Sequence, residues 1–340
     1  MFGRDDAIER MRRLVAQTAR RHFTTPFVMV GFPGSGRSTM VDVAHAMAVR
    51  DGLPVLRVPP GTAPVATLDT LLDQYTRAHR GLRPIEVEAR MKLLASILEH
   101  APFMLLADNL DPSKRCVRSR QLLEFGRLAK SQGIPVGVVI AGSGSMSELS
   151  AIESISQRNV HALLPLSPEE TRRALSEPVP HLRWTPEALD LAVTSTGGQP
   201  LLIHTLGRHV VDALSNRGEV RFDTVKRASK AIRPIAETWA RDYYQRQDTP
   251  LQRTLRRIPA AAASRASGWF QPSDVQGGRG GGIVTIEQAE DALAALARHG
   301  FAQRGPKGYR LAPGAAGAAL TAQLERAIGL ASPRSATIDR

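Results

Sequence analysis

A glycine-rich turn between a short apolar run and a helical pattern constrains this chain more than any other feature. The apolar run is Phe27–Val30, and residues 31–38 then read Gly-Phe-Pro-Gly-Ser-Gly-Arg-Ser. Two glycines separated by four residues, then a basic residue and a hydroxyl, give the spacing of a phosphate-binding loop. Glycines let backbone N–H groups turn inward around phosphate oxygens, and the next helix offers its positive end. A glycine-rich turn without a ligand is the alternative. The predicted nucleotide contacts are Gly31, Gly34, Ser35, Gly36, Arg37, Ser38 and Thr39.

One position departs from the usual pattern, because arginine stands at 37 where a lysine is expected. Lysine is a compact ammonium that reaches between terminal phosphates, whereas arginine is a bulky planar fork. Arginine still binds phosphate, so we expect nucleotide binding. Phosphoryl transfer depends on the placement of charge, so we expect hydrolysis of ATP to be weak.

The second half of the predicted site is Asp108, which follows the apolar run 103–107. In P-loop proteins an aspartate at the end of such a strand holds magnesium, here together with the Ser38 hydroxyl. A strand-end cap without metal is the alternative for this aspartate. Asn109 comes next, and an amide can orient a water molecule but cannot accept its proton. The pair therefore predicts ATP and Mg²⁺ as cofactors, with slow or absent hydrolysis.

Apolar runs of strand length alternate with helical patterns through the first half of the chain, which predicts a parallel sheet covered on both faces. After Pro165 only helical patterns follow, until a hairpin signal at residues 301–311. We therefore predict an α/β P-loop NTPase domain over residues 1–164 and a helical lid over 165–222. A basic, winged-helix-like domain over 223–330 and a disordered tail over 331–340 complete the predicted organisation.

Taken together, these motifs resemble those of bacterial AAA+/STAND-type ATPases, in the branch related to origin-recognition and transposition-helper ATPases. The opening Phe2-Gly3-Arg4-Asp5 resembles the box that begins such modules, and the resemblance implies that Gly3 and Arg4 lie near the adenine. Residues 196–200 resemble the turn of the helical lid, which implies that Pro200 packs over the nucleotide.

The resemblance also implies two further catalytic positions. Ser143 lies where these ATPases have a sensor residue that hydrogen-bonds the terminal phosphate or the attacking water. Arg158 lies where they place an arginine finger that reaches a neighbouring subunit, which predicts a homo-oligomer. A loop hydroxyl and a surface arginine are the alternatives for these two residues.

The charge of the chain points to a polyanion. The formal net charge is +13, and residues 221–340 hold 19 Lys and Arg against 10 Asp and Glu. Such a basic end favours phosphate contacts with double-stranded DNA, although a solvated basic surface is the alternative. The candidate nucleic-acid contacts are Arg253, Arg256, Arg257, Arg304, Lys307 and Arg310, with a second cluster at Lys114, Arg115 and Arg118.

The helical pattern over 285–299 carries three acids and only Arg298, which is a poor surface for reading base edges. Two functions therefore stay open. The first is nucleotide-dependent DNA binding with slow ATP hydrolysis. The second is a non-hydrolysing adaptor or signalling scaffold whose winged helix binds a protein partner. No apolar stretch reaches the roughly 20 residues of a membrane span, and we expect a cytoplasmic protein.

Overall fold

The computed structural model describes residues 2–58, 92, 101–110, 126–142, 159–215, 218–276 and 283–329. Contacts between Cα atoms divide the chain into two units. The first, here the sheet unit, comprises Arg4–Phe32 and Gly36–Leu163. The second, here the helical unit, comprises Met1–Gly3, Pro33–Ser35 and Leu164–Arg340.

The described part of the sheet unit forms a five-stranded parallel sheet in the order β2-β3-β4-β1-β5. Strands β1 and β4 are buried along their whole length, as expected for strands covered on both faces. Helix α1 buries Met11, Leu14 and Val15 in the same core. The described elements are α1 (Asp5–Ala19), β1 (Phe27–Gly31), α2 (Arg37–Arg50), β2 (Val55–Val58), β3 (Phe103–Leu110), β4 (Val136–Gly142) and β5 (Val160–Leu163). The predicted parallel α/β sheet is confirmed.

In the first part of the helical unit, two of the four described helices begin at side-chain caps. Ser167 and Glu170 form a capping box at the start of α3, and the Thr185 hydroxyl accepts a hydrogen bond from the Ala188 N–H at the start of α4. The elements are α3 (Pro168–Ser176), β6 (Leu182–Trp184), α4 (Pro186–Thr196), α5 (Pro200–Leu214), β7 (Gly218–Val220) and α6 (Phe222–Arg246). The expectation of helices alone after Pro165 is wrong here, because β6 and β7 pair in parallel. These strands have three residues each, too few for a strand pattern to stand out in the sequence.

The remainder of the helical unit packs around a second core that contains Phe270, Leu293 and Leu320. The predicted hairpin is confirmed, since β8 and β9 pair antiparallel with Gly305 opposite Gly308. The elements are α7 (Thr249–Leu255), α8 (Ile258–Ala263), α9 (Pro272–Gln276), α10 (Ile286–Arg298), β8 (Ala302–Gly305), β9 (Gly308–Leu311) and α11 (Ala315–Ala327). Among the helices described above, none is long and apolar enough to cross a membrane.

Candidate nucleotide site and basic hairpin

The glycine-rich turn follows β1, which lies between β4 and β5 in the sheet. Helix α2 begins at Arg37, and its N-cap Gly36 has a left-handed backbone with φ 94° and ψ 16°. A Cβ atom at Gly36 would meet no heavy atom within 4 Å, so space is open beside this residue. The first N–H groups of a helix have no partner inside the helix and are available to an anion. The start of α2 therefore has open space beside Gly36 and N–H groups available to an anion.

The tip of this turn, Pro33–Ser35, belongs to the helical unit. The Leu201 N–H donates a 3.1 Å hydrogen bond to the Gly34 carbonyl. Gly34 has φ 80°, and a Cβ atom there would lie 2.7 Å from Cζ2 of Trp239 and 2.8 Å from Cβ of Leu201. Ser35 is fully buried. Glycine is thus required at position 34 by backbone conformation and by close packing.

Arg37 is half-buried, and its Nη1 atom is buried without a hydrogen-bond partner among the residues that the structure describes. Burial lowers the pKa of Arg37 below its ordinary value, and the Asp108 carboxylate opposes this change. A charged group that is partly desolvated and incompletely hydrogen-bonded is costly unless an anion pairs with it. The Asp108 carboxylate supplies one negative charge, and Nη1 of Arg37 retains a donor that no described residue uses at the start of α2. The Ser38 and Thr39 side chains, in the same turn of the helix, are exposed.

Asp108 lies at a β-bulge that the sequence pattern did not reveal. Ala107 of β3 is paired with Ile140 of β4, and the next registered pair is Leu110 with Gly142. Strand β3 therefore has one residue more than β4 over this interval, at Asp108 and Asn109. A bulge re-aims the side chains of the strand and is common beside active sites. A run of apolar residues carries no signal for such an extra residue.

The other predicted nucleotide contacts lie in different elements of the chain. Arg4 is buried as the N-cap of α1, while Gly3 packs against Leu166 and Glu170 in the helical unit. Pro200 is the first residue of α5. Ser143 and Arg158 lie outside the described residues, as do the side chain of Asn109 and the cluster of Lys114, Arg115 and Arg118.

The predicted nucleic-acid contacts near α7 have different environments. Arg253 is exposed. Nε of Arg256 donates a 2.7 Å hydrogen bond to the Tyr244 hydroxyl, and Nη1 of Arg257 donates one of 2.6 Å to the Gln276 carbonyl. Arg257 is only 5% exposed. Its guanidinium is buried in a contact inside the helical unit, and Arg257 is therefore not part of an exposed basic surface.

The β8–β9 hairpin displays three exposed cations, Arg304, Lys307 and Arg310. The Arg310 guanidinium lies 4.8 Å from the centroid of the Trp269 ring, and its Nε donates a 2.8 Å hydrogen bond to Oε1 of Gln303. Arg304 lies 5.8 Å from the centroid of the Tyr309 ring. Stacking on rings orients these guanidinium groups without neutralising them. The hairpin therefore presents three positive charges, two of which lie over aromatic rings.

A parallel sheet in this order, with a glycine-rich turn between β1 and α2, defines the P-loop NTPase fold. A model of the Novel STAND NTPase 1 family matches residues 1–267, and the chain belongs to that family. No curated protein matches the sequence.

The chain resembles several solved structures at low identity. A single-residue mutant of RuvB from Thermotoga maritima has a TM-score of 0.50 and 13% identity, over 98% of this chain and 97% of that chain. Cdc6p from Pyrobaculum aerophilum has a TM-score of 0.50 and 12% identity, over 96% and 94%. Orc1 from Aeropyrum pernix in complex with DNA has a TM-score of 0.46 and 14% identity, over 97% and 95%.

Proposed function

We propose that this STAND NTPase is an ATP-binding switch that hydrolyses ATP slowly and binds double-stranded DNA in a nucleotide-dependent manner. The observation that carries the nucleotide part is the partly desolvated Arg37, which shares the start of α2 with the left-handed Gly36 and interacts electrostatically with Asp108. These are the groups that a phosphate chain and its counter-ion require, and the family match supports the same assignment.

The residues present fit ATP and Mg²⁺. The open space at Gly36 and the first-turn N–H groups suit phosphate oxygens. The Ser38 hydroxyl and the Asp108 carboxylate are oxygen donors, which Mg²⁺ prefers. A bound Mg²⁺ would neutralise charge on the terminal phosphates. Arg37 would pair with the phosphates, and Gly3, Arg4 and Pro200 would contact the rest of the nucleotide.

Slow hydrolysis follows from the chemistry of two side chains. Arg37 is planar and bulkier than the usual lysine, so its charge is placed differently along the phosphates. Asn109 cannot take a proton from water, and a general base contributes about 10²–10⁴-fold to rate. Ser143 as a sensor and Arg158 as a finger toward a neighbouring subunit belong to the same proposal. They would supply electrostatic stabilisation and would make turnover depend on oligomerisation.

The DNA part of the proposal is supported by the hairpin cations Arg304, Lys307 and Arg310, with Arg253 as a further exposed contact. Glu287, Glu290 and Asp291 are exposed on α10 and would repel phosphates, so α10 is poorly suited to enter a groove. The hairpin cations are instead expected to contact the phosphate backbone. We therefore propose a winged-helix-like domain that contacts DNA through its hairpin. Lys114, Arg115 and Arg118 would add charge from the sheet unit.

The same acidic surface of α10 favours a second candidate function, a non-hydrolysing adaptor whose winged helix binds a protein partner. Three exposed carboxylates on one short helix suit a basic protein surface better than a DNA groove. This candidate predicts ATP binding without turnover, together with DNA binding that is weak and lost at moderate salt.

The two candidates are separated by ATP binding and turnover with Mg²⁺, with and without duplex DNA. An Arg37→Lys variant should raise turnover by about tenfold to a hundredfold, because it restores the usual placement of charge. Arg50→Lys, an exposed position on the same helix, is the matched control and should change nothing. ATP binding with no turnover in either form, and no effect of DNA, would establish the adaptor. Failure to bind ATP would refute both functions.

A further inference from the structure

Helix α6 is the longest described helix, and together with its N-cap Arg221 it is strongly basic. Residues 221–246 hold seven Lys and Arg against three Asp and Glu. This segment therefore supplies more than a third of the cations in the basic end of the chain. None of them was among the nucleic-acid contacts predicted from the sequence.

The buried face of α6 is apolar and packs inside the helical unit. Val225, Ala228, Ile232, Ala236 and Ala240 are buried in its two cores. The apolar side of this amphipathic helix is thus already covered. What α6 offers to a partner is its polar side.

Four exposed cations share that polar side over the first half of the helix: Lys226, Arg227, Lys230 and Arg233. Residues three and four apart are neighbours on a helix, so 226, 230 and 233 follow one line over about 10 Å. We name this set the basic stripe. Arg241, also exposed, continues the same line beyond Glu237.

The three carboxylates of α6 neutralise only part of the stripe. Glu237 pairs with Arg233 at 2.9 Å, Asp242 approaches Arg241 at 3.9 Å, and Asp223 forms no ion pair with a described residue. Lys226, Arg227 and Lys230 form no ion pair with any residue that the structure describes. Elsewhere in the structure exposed arginines commonly pair with an acid within one helical turn, as Arg13 with Glu9 and Arg173 with Glu177 do. Three adjacent like charges repel one another, which favours an anionic partner.

We propose that the basic stripe binds the phosphate backbone of double-stranded DNA, as a second contact surface separate from the hairpin. This inference rests on the proposed DNA binding. Duplex DNA carries one negative charge per about 1.7 Å of its axis, so a short line of cations can meet several phosphates at once. The inference concerns contacts with phosphates, which carry no sequence information, so we expect the contact to be independent of sequence.

Other polyanions suit the stripe less well. An anionic membrane binds helices that insert an apolar face, and the apolar face of α6 is already buried. Single-stranded nucleic acid needs successive exposed aromatic rings for stacking, whereas Phe222 is a single exposed ring at the start of the stripe. A duplex requires only charge at this spacing.

The test compares three full-length variants that each lose three positive charges. The stripe variant is Lys226→Gln, Arg227→Gln and Lys230→Gln, since glutamine keeps the helix propensity of lysine and arginine. The hairpin variant carries glutamine at Arg304, Lys307 and Arg310. The control carries glutamine at Arg12, Arg13 and Arg20, which are exposed on α1 and its C-cap. Affinity for a duplex is measured over a range of salt concentrations, with two unrelated duplexes, a single strand and anionic vesicles as probes.

We expect the stripe variant to bind both duplexes at least about tenfold more weakly at about 0.1 M salt, and to lower the slope of log affinity against log salt by about two to three. The control should bind as the unaltered protein does. Equal binding by the stripe variant and the control would overturn the inference and leave the proposed function standing if the hairpin variant loses affinity. No duplex binding by the unaltered protein would overturn both. Binding of anionic vesicles or the single strand by the unaltered protein as tightly as of the duplexes would also overturn the inference.

Discussion

The packing at Gly34 leads to a sharp prediction about the glycine-rich turn. Gly34 and Gly36 both have positive φ, at 80° and 94°, so an alanine is strained at either position by about 1–2 kcal/mol. At Gly36 a Cβ atom meets nothing within 4 Å, whereas at Gly34 it meets Trp239 at 2.7 Å and Leu201 at 2.8 Å. Overpacking of this kind costs about 1–3 kcal/mol. Gly34→Ala should therefore lower the free energy of unfolding by about 1–3 kcal/mol more than Gly36→Ala does.

The assay is urea unfolding followed by far-UV circular dichroism, which reports helices in both units. Tryptophan emission of the native state gives a second, local measurement. In a background with Trp184→Phe and Trp269→Phe, Trp239 is the remaining tryptophan. Its emission should shift in Gly34→Ala and stay unchanged in Gly36→Ala, because only the first alanine displaces the indole.

A Trp239→Phe background tests the cause directly. Phenylalanine lacks the indole atoms Cζ2 and Cη2 that approach Gly34, so it should reduce the cost of Gly34→Ala. Part of the cost should persist, since Cβ of Leu201 stays in place. The reasoning is refuted if Gly36→Ala costs as much as Gly34→Ala, or if the cost of Gly34→Ala is the same with Phe at position 239.

Three further predictions concern other parts of the two units. Burial lowers the pKa of His161 against the opposing Asp6 carboxylate, which lies 3.4 Å away. Protonation is thus less favourable in the folded state, so stability should fall as pH drops through about 6.5 toward the lowered pKa. His161→Gln should flatten this fall in urea midpoints measured across that range. Ser167→Ala removes the capping box of α3 and should cost about 1 kcal/mol, whereas Ser176→Ala at the other end of the helix should cost less than about 0.5 kcal/mol in the same urea assay. Gln199 is buried and its Nε2 donates a 3.1 Å hydrogen bond to the Gly300 carbonyl, so Gln199→Ala should cost about 1–3 kcal/mol. An unchanged thermal midpoint for Gln199→Ala would contradict that expectation.

Local patterns were enough to predict the sheet and the turn at its centre. Strands buried on both faces consist of apolar residues alone, and Phe27–Val30 and the run 136–141 show that composition directly. Glycine at 36 signals a left-handed residue before a helix, and α2 does begin one residue later. The helix caps at Ser167 and Thr185 are equally local, because each satisfies N–H groups within the next three residues.

Features that depend on contacts between distant segments could not be predicted. The bulge at Asp108 exists only relative to the register of β4, and the pairing partner of a strand is not written in the strand itself. Arg257 was predicted as a phosphate contact from its charge, but its environment is set by the Gln276 carbonyl, nineteen residues away. The basic stripe was not predicted, although the helical spacing of the apolar residues Val225, Ala228 and Ile232 indicates which side of α6 is covered.

Helix α6 carries both residues proposed to bind DNA and a residue that packs against the glycine-rich turn. Its first half carries the basic stripe, and Trp239, six residues beyond Arg233, packs on Gly34 at the tip of the glycine-rich turn. If ATP moves that tip, α6 responds, and by thermodynamic linkage DNA must change ATP affinity by the same factor as ATP changes DNA affinity. We expect a factor of about 5–150, the usual range for coupled sites. Trp239→Phe should bring this factor toward one while each ligand alone still binds. Equal DNA affinity with and without ATP, or a factor unaffected by Trp239→Phe, would exclude α6 as the coupling element.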